Sequence, residues 1–493
     1  MAELTSRVGK ASLWVASSRL GVNLLGFAAT AVLARLLMPA DFGLVAIATA
    51  IHLTLSVMTE LSMAQSLIAV RDPTREHLNT AWTLGLLRGL AVALLLAVAA
   101  PFLAGFFGDA RLTDVLLALA LSMAVNGMVN PRPAMLQKEL VFWQDAVMQV
   151  SGRLLGLIAA IAVAWYYQSY WALVLSIVVN QAAILVLSYC VAPFLPRPSL
   201  ARAREMLGFS VWLTLGQFLD TLVVRLDTVV IGRLLGPRVV GFFSVGENLA
   251  SLPVRESTML LYWALFPALA KLRDDPERLR SAYRRTLTLL VALALPIGVG
   301  MAVTADLMVR IMLGEKWGEA VIVVQAIALA TAIQSVQQPA YAVAMATGST
   351  RMLFWQSLAL LLIRVPMMIA GVLLGGLVGV VWARLAGGVV SAASNVWVVR
   401  RITGLRAREQ IFANWRSIAS VLIMAAVVLA LRSWLDGGAA LAEQVAEMIA
   451  SVALGALVYV ASLFALWRLT GKPLGAEHEI VHFAGLAIAR IRA

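Results

Sequence analysis

Residues 35–43 read Arg35-Leu-Leu-Met-Pro-Ala-Asp-Phe-Gly43, and residues 233–241 read Arg233-Leu-Leu-Gly-Pro-Arg-Val-Val-Gly241. Both obey R-L-L-x-P-x-x-x-G, a helix-to-turn signal, and each copy joins a long apolar run to the next one. A second echo pairs Phe142-Trp-Gln144 with Phe354-Trp-Gln356, before or at the start of the fifth and eleventh runs. Six runs separate the copies in both cases. A shared offset predicts two parallel six-helix repeats, followed by two further helices. Repeats of this kind build transporters that rock two halves about a site near the bilayer midplane.

The apolar runs are long enough for lipid. A chain of 493 residues that is 61% hydrophobic and 13% charged cannot hide its apolar surface in soluble domains. At about 20 residues per span, fourteen spans use roughly 280 residues and leave short connections. They are expected near 11–37, 42–70, 80–104, 112–130, 145–166, 170–192, 208–235, 240–270, 284–305, 319–346, 354–375, 376–399, 417–433 and 446–469. The run at 11–37 is too long for a signal-peptide core and contains Arg19, so it reads as the first span. The fold class is therefore an all-α membrane protein with about fourteen transmembrane helices. Its expected domains are an N-lobe at 1–200, a C-lobe at 201–400, two helices within 401–475, and an amphipathic surface helix at 476–493.

The formal charge of +13 is distributed as a membrane protein would distribute it. With the N-terminus inside, the cytoplasmic loops collect Arg7, Lys10, Arg71, Arg75, Arg132, Lys138, the arginines of 197–204, the 271–285 and 400–416 clusters, Arg351 and the tail. The outer loops hold few: Arg35, Arg111, Arg233, Arg238, Arg310, Lys316 and Arg432. This places both termini in the cytoplasm, where the basic surface helix meets anionic lipid. Nucleic acid is not an expected partner.

The stretches L-A-R-L-L-M-P-A-D-F-G at 33–43, N-P-R-P-A-M-L-Q-K-E-L-V-F-W-Q at 130–144 and L-D-T-V-V-I-G-R-L-L-G at 226–236 carry a resemblance that spans essentially the whole chain. The chain resembles the polysaccharide-transport branch of the multidrug/oligosaccharidyl-lipid/polysaccharide exporter superfamily, the Wzx-type flippases. The resemblance implies fourteen spans in the bacterial inner membrane. It also implies translocation of a polyprenyl-pyrophosphate-linked oligosaccharide for O-antigen, exopolysaccharide or capsule biosynthesis. Lipid-linked oligosaccharide, membrane lipid and other polysaccharide-assembly proteins would be its partners, with no cofactor. It supplies no fixed catalytic signature, so site residues come from charge.

Ionisable groups inside spans are costly and mark candidate function. The basic set is Arg19, Arg88, Arg153, Arg225, Arg255, Arg364 and Arg384; the acidic set is Glu60, Asp220, Asp227, Glu247 and Glu256. Depth sorts them. In the hairpin of spans seven and eight, Asp220 and Arg255 both lie roughly 22 Å from the outer end, and Arg225 and Glu247 roughly 10–15 Å from it. Arg19 and Glu60 lie roughly 12–15 Å from the cytoplasmic side. These three pairs are expected to be structural. Arg88, Arg153 and Arg364 remain as the sharper candidates for holding a diphosphate through forked, permanent charge, in a cavity between the lobes, with Arg19 and Arg225 as further substrate contacts. The competing reading for Arg88 and Arg153 is snorkelling to a span end. Asp227 and Glu256 are the ion-coupling candidates, against a structural pairing.

Two other functions compete. An ion-coupled exporter of cationic drugs would want acids, whereas the spans hold seven basic against five acidic residues. A membrane enzyme would be a glycan polymerase or a metalloprotease, since His478-Glu-Ile-Val-His482 matches H-E-x-x-H. A catalytic zinc needs a third ligand, and 483–493 contain no His, Asp, Glu or Cys. The outer loops are too short for a polymerase domain, Cys190 is the lone cysteine, and no G-x-x-x-x-G-K-[ST] loop occurs. Neither enzyme activity nor a metal site is expected.

Overall fold

In a computed structural model, the described residues are 2–59, 67, 70, 72–139, 141–207, 211–272, 275–435, 440–473 and 475–478. Side chains of 2–13, 15–16, 137, 207, 211–218, 220, 223, 259–271 and 350 are outside that description. The described residues form helices joined by short turns. Eleven of these helices are long and apolar enough to cross a membrane. The protein is a multi-pass membrane protein, compatible with the expected fourteen spans. Two helices are double. Val211–Lys271 breaks at Gly236 (φ 82°) and Thr350–Thr403 at Gly376 (φ 55°), where left-handed backbone suits glycine. These are the breaks expected between spans seven and eight and between eleven and twelve. The expected fourth span falls on the helix Arg111–Gly127, about 25 Å long at 1.5 Å per residue. The expected tenth is interrupted at 335–336.

The chain divides into two compact units, Met1–Ser244 and Val245–Ala493. In the first, we number α1 (Ala2–Leu36), α2 (Pro39–Met58), α3 (Arg75–Phe107), α4 (Arg111–Gly127), α5 (Pro133–Lys138), α6 (Trp143–Tyr167), α7 (Trp171–Val191) and α8 (Ala203–Leu207). α3 packs on α4, α6 on α7, and α1 on α6. Lipid gives helices no hydrophobic reason to associate, so close backbone approach has to do the work. At the α3–α4 contact a Cβ on Gly89 would stand 2.8 Å from the Met123 carbonyl oxygen. The strand of chain leaving α7 is strapped to the start of α3. Arg197 N–H donates to Asn79 Oδ1 at 3.0 Å and Ser199 N–H to Thr83 Oγ1 at 2.9 Å.

α9 (Val211–Lys271) runs from the first unit into the second. The second unit continues with α10 (Pro276–Val303), α11 (Ala305–Met312), α12 (Ala320–Gln334), α13 (Gln337–Ala346), α14 (Thr350–Thr403), α15 (Ala407–Phe412), α16 (Trp415–Trp434) and α17 (Leu441–Leu469). Pro276 opens α10, and Asp275 caps it by accepting the Arg278 N–H at 3.1 Å. One face of α10 buries Leu279, Tyr283, Leu287 and Val291 against Val343 and Val399. Another neighbour is the α16–α17 pair, whose Tyr459 hydroxyl donates to the Ala292 carbonyl at 2.7 Å.

Two ion-pair groups tie this unit. Arg432 binds Asp306 at 2.5 Å and Glu447 at 3.2 Å. Arg416 and Glu477, both buried, form a forked pair at 2.6 and 3.0 Å. Removing one partner strands a buried charge, so Glu477→Ala is expected to cost about 3–5 kcal/mol. It should visibly lower the thermal midpoint of the purified protein. An unchanged midpoint would show that the pair adds nothing to stability. Of the expected surface helix, only 476–478 fall within the described residues.

Candidate functional site

The two R-L-L-x-P-x-x-x-G copies meet each other. Pro39 begins α2, with the Asp41 carboxylate accepting the Met38 N–H at 3.0 Å; Pro237 follows the Gly236 break. A Cβ built on Gly43 would stand 1.6 Å from the Pro237 carbonyl oxygen, and one on Gly241 would stand 1.8 Å from the Pro39 carbonyl oxygen. Each copy's glycine therefore lies against the other copy's proline, a local two-fold arrangement generated by the repeat. Only glycine permits it. Buried Phe42, Leu44, Val240 and Phe242 surround the crossing. The Arg238 guanidinium lies over the Phe242 ring at 5.6 Å, and Arg233 over Phe106 at 5.3 Å. The repeat is plain in the sequence, where it has the form of a helix-to-turn signal. The signal for a backbone crossing was the fixed glycine four residues after the proline.

The candidate arginines have different surroundings. Arg153 lies ten residues into α6, about 15 Å along it. Its Nη2 would be 3.0 Å from a Cβ on Gly26, which sits midway along the Ser17–Leu36 part of α1. The charge is thus held against the facing helix rather than carried to the helix end. Arg88 is different. Its Nη2 donates to the Ser56 carbonyl at 2.8 Å and its Nε to the Thr59 hydroxyl at 3.4 Å, a cation on the C-terminus of α2. Arg364 and Arg225 are half-buried on α14 and α9. Arg19 is exposed, with Asp145 of α6 within electrostatic reach.

The acids fall as follows. Asp227 is buried at 2% exposure. Glu256 lies 3.5 Å from Arg255, its neighbour in the chain. Glu247, expected to pair with Arg225, takes Arg384 of α14 at 2.8 Å. Depth along one hairpin could not see that third helix. The Asp220 side chain and Glu60 lie outside the described residues, and with them the two other expected pairs. Among the described residues no group of three His, Cys, Asp or Glu is placed to hold a metal. His478 is exposed, while Glu479 and His482 lie outside the described residues.

Apolar helices of bilayer length, arginines within spans and a duplicated motif that crosses itself define a membrane protein of the internally repeated transporter class. The chain belongs to the polysaccharide biosynthesis protein family, whose model matches residues 32–322. It is 25% identical over 407 residues to the lipopolysaccharide biosynthesis protein WzxC of Escherichia coli (strain K12), covering 82% of this chain and 83% of that one. It is also 25% identical over 449 residues to the succinoglycan biosynthesis transport protein ExoT of Rhizobium meliloti (strain 1021), covering 90% of each. Among solved structures, its fold is like that of the lipid II flippase MurJ in an inward closed conformation. The TM-score is 0.75 at 14% identity, over 92% of this chain and 99% of that one.

Proposed function

We propose that the protein is a flippase that moves a polyprenyl-diphosphate-linked oligosaccharide from the inner to the outer leaflet of the bacterial plasma membrane by alternating access, with both termini cytoplasmic. The observation that carries this reading is the reciprocal Pro39–Gly241 and Pro237–Gly43 contact. With both termini cytoplasmic, each repeat would turn there from an outward span to its return, which supports a closure on the outer side. Such a closure is what a carrier loading from the cytoplasm needs. Arg153 and Arg364 hold the diphosphate, with Arg19 and Arg225 as further contacts. Asp227 and Glu256 are the residues through which an ion biases the cycle. Arg88 supports α2. The protein transports and does not catalyse, and other polysaccharide-assembly proteins act around it.

Deleting the gene tests this. Surface polysaccharide should fall at least tenfold while its lipid-linked precursor accumulates in the inner leaflet. Loss of both polymer and precursor would instead make the protein part of synthesis and overturn the flippase reading. Replacing His478 and Glu479 by alanine should leave surface polysaccharide unchanged; loss of polymer would revive a metal-dependent role for H-E-x-x-H.

A further inference from the structure

The second unit carries a cavity of about 920 Å³ built from three stretches far apart in sequence: the start of α10, the turn and short α15 after α14, and the segment after α17. Arg280, Arg284, Arg285, Arg406, Arg408 and Arg416 line it, against Glu277 and Glu409. Arg416 is paired with Glu477, and the other five arginines are exposed around one concavity. Two features shape its wall. The Arg280 Nε donates to the Thr403 carbonyl, placing a cation on the last turn of α14. Gly404 follows at φ 76°, with Arg280 Nη2 only 2.8 Å from where a Cβ would be. A side chain at 404 would be strained and would also displace the arginine.

Among the described residues, Arg284, Arg406 and Arg408 have no carboxylate partner. Like charges converging on one concavity repel each other, and an anion placed among them relieves that repulsion. The rim is apolar. Phe412 lines the cavity at 64% exposure, with Ile411 at 57% and Trp415 at 41% beside it. Apolar groups exposed beside a cationic recess fit a ligand with a charged head and a greasy tail, not a fully soluble one.

We infer that this arginine-lined cavity binds the phosphate head of a membrane-anchored anion from the cytoplasmic leaflet. The side of the membrane rests on the orientation proposed above; the binding does not depend on transport. Two sources share this chemistry, an anionic phospholipid and the prenyl diphosphate of a lipid-linked sugar. The test uses the purified full chain and measures retained ligand by native mass spectrometry with phosphatidylglycerol, polyprenyl diphosphate and inorganic pyrophosphate as separate probes. The variant is Arg284→Gln with Arg406→Gln and Arg408→Gln, groups that hold no other part of the fold. An equal charge change elsewhere, Arg197→Gln with Arg204→Gln and Arg351→Gln, is the control.

The expected result is roughly hundredfold weaker lipid retention in the cavity variant and little change in the control. Retention of phosphatidylglycerol names the leaflet lipid as occupant; retention of polyprenyl diphosphate alone names the sugar carrier. Either upholds the site. Should the cavity variant unfold, the corresponding lysine variant, which keeps the charge, is expected to retain lipid. Equal loss in the control, unchanged retention in the glutamine variant, lost retention in a folded lysine variant, or pyrophosphate binding as tightly as the lipids would overturn it. Because the readout is binding by isolated protein, a failed export assay would leave this result standing, and the reverse holds too.

Discussion

Gly43→Ala and Gly241→Ala are each expected to cut export of surface polysaccharide about tenfold or more while the protein stays at its normal level in the membrane. The added carbon meets backbone, not a side chain that can swing away: 1.6 Å to the Pro237 carbonyl oxygen in one case and 1.8 Å to that of Pro39 in the other. Ordinary contact begins near 3.4 Å, so the two copies must part before either alanine fits. Overpacking of this kind costs about 1–3 kcal/mol, which as a bias against the crossed state is roughly 5- to 150-fold. In the cycle proposed above, the carrier would then be held with its outer side unclosed. Both substitutions break one contact, so the double variant should export much as either single one does rather than losing the product of the two effects. Quantifying surface polymer and membrane-bound protein in the three strains decides it. Full export from both single variants would mean that the crossing is not part of the transport cycle.

The same glycines show how far sequence carries. Span positions, the breaks at Gly236 and Gly376 and the repeat itself were legible, because each is written in consecutive residues: apolar length, a turn residue, a recurring nine-residue pattern. What was not legible depends on residues brought together from afar. Glu247 finds Arg384, 137 positions away, on a helix that depth arithmetic within one hairpin never included. Arg88 finds a backbone carbonyl at the end of α2, and a carbonyl has no signature in sequence. The arginine-lined cavity needs 277–288, 404–416 and 473–475 at once. The charge of those clusters points to one side of the membrane, but nothing in consecutive residues says that they fold around a common space.

The second large effect separates two arginines that sequence treated alike. Arg153→Ala is expected to reduce export at least tenfold with no loss of protein and no change in thermal midpoint, because its guanidinium lies beside Gly26 in mid-span, where its contribution is charge. Arg153→Lys should recover part of the activity, since an ammonium keeps the charge but not the planar fork that grips a diphosphate from two directions. Arg88→Ala should do the opposite. Losing a cation that serves the Ser56 carbonyl and the Thr59 hydroxyl removes about 0.3–1 kcal/mol from the end of α2, so the midpoint falls and export declines only in step with the amount of protein. Comparing export per molecule with thermal stability across the three variants distinguishes the two roles. If Arg153→Ala exports at the wild-type rate per molecule, the diphosphate is held elsewhere, and mid-span charge on α6 is then only a packing feature of the first unit.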